Sequence, residues 1–116
     1  MIQSKADLKE YLIADRIANK YSNYYKYPML CKIMGGYNYL YLWYLRHYEY
    51  VLNVKKGIIW KYIRTILEWK LRKWSCFTGI TIPPNTFGKG LYIPHWGSIV
   101  VNGSARFGDN CVVQGG

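Results

Sequence analysis

The spacing of apolar residues changes about two thirds of the way along this 116-residue chain. Up to residue 78 they recur at helical intervals, whereas from Phe87 onward the interval is six. Cap residues and glycine breaks divide the first part into helices. The predicted helices run from a Ser4 cap to about Asn19 or Tyr21, from after Pro28 to Gly35 (a short one), from an Asn38 cap to about Asn53, and from Gly57 to about Trp74.

The six-residue interval predicts a different architecture for the C-terminal part. Large apolar residues occur at Phe87, Ile93 and Ile99 and then, after a two-residue insertion, at Val101, Phe107 and Val113. A solenoid in which each hexapeptide contributes one short strand and one turn has this period. We therefore predict an α+β chain with an aromatic-rich, basic helical region at residues 1–78. Residues 79–116 would form the first coils of a parallel β-helix.

The residues of this region resemble a known family. The run Gly88-Lys-Gly-Leu-Tyr-Ile-Pro-His-Trp-Gly-Ser-Ile-Val-Val-Asn102, followed by Gly108-Asp-Asn110, resembles the hexapeptide-repeat acyltransferases. Within them it is most similar to the serine O-acetyltransferase branch and its relatives in surface-polysaccharide gene clusters. The resemblance covers residues 81–116. It implies a left-handed β-helix, acetyl-CoA as co-substrate, a hydroxyl acceptor, and a homotrimer that holds the donor between neighbouring β-helices.

The candidate catalytic residue is His95, which matches the histidine of that family. Acyl transfer to a hydroxyl needs a base near neutral pH, and imidazole is the side chain that titrates there. Trp96, Gly97 and Ser98 follow on the same glycine-rich turn and are the candidate substrate-binding residues. We expect the acetyl-CoA site to lie mostly beyond Gly116, and we predict no metal site. For His47, on an aromatic helix, we favour a structural role.

Two departures from the family pattern bear on the acceptor. Serine acetyltransferases carry aspartates at the positions of Pro94 and Ile80, where they hold the amino acid and orient the histidine. Without these carboxylates nothing visible in the stretch binds an ammonium group. The sequence therefore favours a surface-polysaccharide sugar as acceptor, with serine as the alternative.

Charge and cysteine content set the cellular context. The net charge is +10, and residues 55–73 alone hold seven Lys or Arg against one Glu, which gives +6. Such a segment attracts an anionic partner. An anionic membrane surface is one candidate, whereas no nucleic-acid-binding motif accompanies the charge. Three cysteines, Cys31, Cys76 and Cys111, are consistent with reduced thiols, and Cys111 is predicted to lie in the core. We expect a cytoplasmic protein, with peripheral attachment to the inner membrane face as an option.

An alternative of another class follows from the length of the solenoid. Residues 81–116 supply about two coils, whereas repeat arrays generally need at least three units to bury a continuous core. We interpret the chain as truncated. The 116-residue chain could then be a non-catalytic fragment, or a helical module that oligomerises or binds a membrane surface.

Overall fold

The computed structural model describes residues 1–19, 37–94 and 98–113 of the protein. Their helices and strands are α1 (Lys5–Ala18), α2 (Tyr37–Val54), α3 (Ile58–Thr78), β1 (Ile80–Thr81) and β2 (Ile99–Val100). The predicted α+β class is thus confirmed. The short helix predicted before Gly35 falls outside the described residues.

Local signals placed the helix ends with two exceptions. Ser4 caps α1 as predicted, since its hydroxyl accepts a hydrogen bond from the Asp7 amide at 3.1 Å. Helix α3 continues four residues past Trp74, because neither Gly nor Pro occurs before Gly79, which ends the helix at φ +75°. Helix α2 begins at Tyr37, so Asn38 lies in its first turn and is not its N-cap.

The chain after Gly79 pairs with itself in parallel. Strand β1 pairs with β2 so that Ile80 faces Ile99, nineteen residues later, and Tyr92 forms a parallel bridge with Val112, twenty residues later. Between these points the Phe107 amide donates to the Thr86 carbonyl at 2.7 Å. Residues 79–93 and residues 98–113 therefore run side by side in the same direction.

One apolar core joins the helices to this paired region. Leu40, Leu42 and Leu45 of α2 belong to the same buried cluster as Ile80 and Leu91. The first predicted apolar set, Phe87, Ile93 and Ile99, is buried in this cluster. The second set is more open, since Val101 and Val113 are half-buried and Phe107 is exposed.

No helix within residues 1–19, 37–94 and 98–113 combines the length and the apolar character that crossing a bilayer requires.

Candidate functional site

The predicted catalytic turn is only partly described. His95, Trp96 and Gly97 lie outside the described residues. Ser98, on the far side of the turn, is exposed and has a φ of +47°. The segment that precedes His95, residues 85–93, is described in full, and side chains from the helices hold its backbone in place.

Helix α2 presents a stripe of polar side chains to this segment. Asn38, Arg46, Glu49 and Asn53 recur at intervals of eight, three and four residues, which places them on one helical face. Asn38 contacts the Ile93 carbonyl, whereas Asn53, at the other end of α2, contacts the Asn85 side chain. The segment therefore runs antiparallel to α2 along this stripe.

Arg46 occupies the centre of the stripe and is fully buried. Its Nε and Nη2 donate to the two carboxylate oxygens of Asp15 at 2.7 and 3.3 Å, and Nη1 donates to Glu49 at 3.1 Å. Its two remaining bonds go to the carbonyls of Phe87 at 3.1 Å and Gly88 at 2.7 Å. A guanidinium has five N–H donors, so every donor of Arg46 is used.

The backbone of residues 91–93 is hydrogen-bonded on both sides. On the side of the paired residues 98–113, the Tyr92 amide donates to the Cys111 carbonyl at 2.9 Å, and the Tyr92 carbonyl accepts from the Val113 amide at 3.0 Å. On the other side the partners are side chains of α1, of its C-cap Asn19 and of α2.

These side chains form hydrogen bonds with the backbone amide and carbonyl groups of both neighbours of Tyr92, Leu91 and Ile93. Asp15 accepts from the Leu91 amide at 3.0 Å, and Asn19 donates to the Leu91 carbonyl at 2.8 Å. Asn19 also accepts from the Ile93 amide at 3.0 Å, while Asn38 donates to the Ile93 carbonyl at 2.6 Å. The backbone two residues before His95 is therefore fixed by two buried asparagines. We call Asp15, Asn19, Asn38, Arg46, Glu49 and Asn53 the polar network.

The charges of the polar network depend on one another. Burial raises the pKa of Asp15 and of Glu49, and the positive charge of Arg46 opposes that rise. Burial lowers the pKa of Arg46, but the two carboxylates more than offset this effect and raise it overall. Arg46 is therefore a permanent cation, and ionising two buried carboxyl groups beside it is costly.

Gly88 and Gly90, which belong to the run that resembles the acyltransferase family, lie where two parts of the chain pass close to each other. A side chain at Gly88 would collide with the Asp109 carboxylate, and one at Gly90 would collide with the Asn110 side chain. Gly90 also has a φ of +79°, which side chains with a Cβ rarely adopt. The Gly-Lys-Gly run and the Gly108-Asp-Asn110 run thus contact each other directly.

Sequence reasoning missed the polar network. The available signal was a set of polar residues at core-facing positions, such as Asp15 and Asn19, which follow the buried Leu8 by seven and eleven residues. Arg46 and Glu49 likewise follow Leu42 by four and seven. Polar residues on an apolar face require buried partners.

The structure assigns His47 a packing role. The centroids of its ring and of the Trp43 ring are 3.8 Å apart, and its Nδ1 is 2.8 Å from the Trp43 carbonyl oxygen. Because a carbonyl only accepts, Nδ1 carries the proton of the neutral imidazole. Burial lowers the pKa of His47.

Two further predictions concern cysteines and metals. Cys111 is half-buried and packs against the core, and Cys76 is exposed with a free thiol, whereas Cys31 falls outside the described residues. In the part of the chain that the structure describes, no group of three His, Cys, Asp or Glu side chains is placed to hold a metal ion.

Comparisons with models of protein families, with curated proteins and with solved structures gave no significant match.

Replacing Arg46 should be far more damaging than replacing an exposed arginine. Arg46→Met leaves two buried carboxyl groups without their cation, and we expect a loss of about 3–5 kcal/mol in the free energy of unfolding. Arg46→Lys should be intermediate, because an ammonium keeps the charge but has only three donors. Denaturant unfolding measures each variant.

Arg72→Met is the matched control for this experiment. Arg72 also pairs with a glutamate of its own helix, at 2.9 Å, but both side chains are exposed, and such pairs contribute about 1 kcal/mol or less. Equal losses for Arg46→Met and Arg72→Met would contradict the importance of the polar network.

His47 should make stability fall on mild acidification. Its pKa is lower in the folded than in the unfolded chain, so the unfolded chain binds more protons once the pH drops below about 6.5. The free energy of unfolding is then lost as pH falls, by at most about 1.4 kcal/mol per pH unit for one proton. Denaturant unfolding at pH 7.5 and 5.5 should show a steeper loss for wild type than for His47→Gln. Equal slopes would contradict the prediction.

Proposed function

We propose that the protein is an acetyl-CoA-dependent O-acetyltransferase in which His95 is the general base. Residues 79–116 would form coils of a left-handed parallel β-helix, and the active assembly would be a homotrimer. The trimer, the donor and the role of His95 rest on the resemblance of residues 81–116 to hexapeptide-repeat acyltransferases.

The parallel register is the observation that carries this proposal. Three hexapeptides make one coil of eighteen residues, and the two-residue insertion after Ile99 lengthens that coil to twenty. The Tyr92–Val112 pair spans the insertion and has the expected offset of twenty residues. The Ile80–Ile99 pair precedes the insertion and is offset by nineteen, one more than a regular coil. The Phe87 and Phe107 rings, also twenty residues apart, stack with their centroids 4.5 Å apart. Offsets this close to the length of one coil support the proposal that one coil lies on the next. In the sequence, His95 falls between Ile80 and Ile99.

The proposed chemistry needs a base held at a defined place. His95 would take the proton of the acceptor hydroxyl as the hydroxyl oxygen attacks the thioester carbonyl. The carbon–sulfur bond then breaks, and the imidazolium returns the proton to the leaving thiolate. Backbone amides of the glycine-rich turn would stabilise the developing oxyanion. Trp96, Gly97 and Ser98 would contact the acceptor. The fixed backbone of Ile93 supports this assignment, because a base is effective only when it is positioned.

The surroundings of the turn favour a neutral acceptor. Ile80, where serine acetyltransferases have an aspartate, is fully buried in the core. The buried carboxylates of Asp15 and Glu49 are already bound to Arg46. Losing a charged partner for an ammonium group costs about 1.5–3 kcal/mol, or roughly ten- to a hundredfold in binding. We therefore propose the hydroxyl of a surface-polysaccharide sugar as acceptor in preference to serine.

Replacing His95 should abolish most of the turnover. We expect His95→Asn to slow thiol release from acetyl-CoA in the presence of acceptor by about 10²–10⁴-fold, the usual contribution of a general base. His47→Gln is the control, because the second histidine has a packing role and should leave turnover unchanged. Undiminished turnover by His95→Asn would refute the proposed base.

The choice of acceptor is tested by competition. With L-serine and a nucleotide- or lipid-linked sugar at equal concentrations, we expect the acetylated sugar to be the dominant product by mass spectrometry. Pro94→Asp and Ile80→Asp each restore one carboxylate. Pro94→Asp is the informative variant, since it should raise the fraction of acetylated product that is O-acetylserine. Ile80→Asp places a carboxylate in the core, and its effect on the free energy of unfolding measures the cost of a charge at that position. Efficient acetylation of serine by wild type, with sugars ignored, would overturn the assignment.

A further inference from the structure

The outer face of α3 combines exposed apolar side chains with basic ones. Ile59, Tyr62, Ile66 and Trp69 follow one another at intervals of three, four and three residues and form one stripe along the helix. Each of the four is between 60% and 77% exposed. Exposed apolar patches of this kind mark surfaces that contact another apolar phase or partner.

The opposite face of the helix accounts for its packing. Trp74 and Thr78 are buried, and Ile63, Leu67 and Leu71 are half-buried. The helix lies against α2, and Leu71 and Trp74 contact the common core. Only part of the apolar surface of α3 is therefore used in folding. Of the three tryptophans of α3, only Trp69 is exposed, since Trp60 is half-buried and Trp74 is buried.

Basic side chains accompany the exposed stripe. Lys70 and Lys73 are exposed and follow Ile66 by four and seven residues, so they lie on the same side of the helix. Lys56, also exposed, precedes the stripe. The one acidic residue of α3, Glu68, pairs with Arg72 at 2.9 Å and so does not neutralise these lysines. Residues 55–73 carry +6 in all.

We propose that this face of α3 binds the surface of a membrane that contains anionic lipids. An interfacial helix lies in the membrane plane, with its apolar stripe roughly 5–10 Å into the headgroup boundary and its lysines among the lipid phosphates. Trp69 and Tyr62 have the amphipathic rings that concentrate at this depth. The inference does not depend on acyl transfer.

Charge and apolar surface together favour a lipid membrane over two other possible occupants of this face, a second copy of the chain and a nucleic acid. A second copy docking through the same face would bring two segments of +6 together, whereas anionic lipids complement them. Nucleic acid would satisfy the lysines, but its phosphate backbone offers no hydrocarbon to cover Ile59 and Ile66. A lipid surface accommodates both kinds of side chain.

Co-sedimentation of the 116-residue chain with vesicles tests the proposal. The probes are vesicles of phosphatidylcholine alone and of phosphatidylcholine with 30% phosphatidylglycerol, at low and high salt. We expect binding to the anionic vesicles and a marked loss in high salt. Lys70→Gln with Lys73→Gln should weaken binding about 25-fold, since each lysine near the surface contributes about fivefold. Ile66→Ser with Trp69→Ser should weaken it about tenfold or more.

Matched changes on α1 serve as controls. Ile17→Ser alters an equally exposed isoleucine, and Lys5→Gln with Lys9→Gln removes two exposed lysines from another helix. Both controls should bind like wild type. Circular dichroism and sedimentation velocity on every variant separate lipid binding from folding and self-association.

Three results would overturn the proposal. The first is equal binding to neutral and anionic vesicles, or no binding to either. The second is an equal loss of binding in the α1 and α3 variants. The third is a folded wild-type chain whose self-association, and not its vesicle binding, is removed by Ile66→Ser with Trp69→Ser, because a second copy would then occupy this face.

Discussion

The ion pair between Arg46 and Asp15 is the contact on which the rest of the arrangement depends. Both side chains are fully buried, and each also binds backbone of the segment that leads towards His95. One guanidinium thus connects α1, α2 and the paired region. Removing charged groups from water is expensive, and the cost is offset only when every donor and acceptor is used. The ion pair therefore fixes one relative placement of these three parts.

Two different constraints position the chain on either side of β1. At its start, the left-handed Gly79 ends α3 and turns the chain into the strand, so the connection is covalent and local. Further on, the polar network holds residues 85–93 through contacts between elements remote in sequence. Local geometry sets where the parallel pairing begins, and buried polar contacts set how it lies on the helices.

This division explains what the sequence could predict. Ser4 acts through its own neighbours, so rules of local geometry found it. They also placed the boundary between the two regions at Gly79, although the helix was expected to end at about Trp74. The six-residue interval likewise singled out Ile93 and Ile99, which the structure buries in the core. Asp15 and Leu91 are 76 residues apart, and a helical pattern identifies a polar residue on an apolar face without identifying its partner. Helix α3 shows the same difficulty, because Ile66 and Leu67 are adjacent and equally apolar in sequence, whereas the fold covers Leu67 more than Ile66.

The side-chain bonds to Leu91 and Ile93 have a consequence for self-assembly. A strand whose amide and carbonyl groups are unoccupied is a template on which another chain can add, and it is a common origin of aggregation. Here Asp15, Asn19 and Asn38 occupy the groups that such an incoming strand would need. The helical region thereby blocks one edge of residues 91–93 against strand addition. Along these residues, backbone pairing is possible only on the edge that faces residues 111–113.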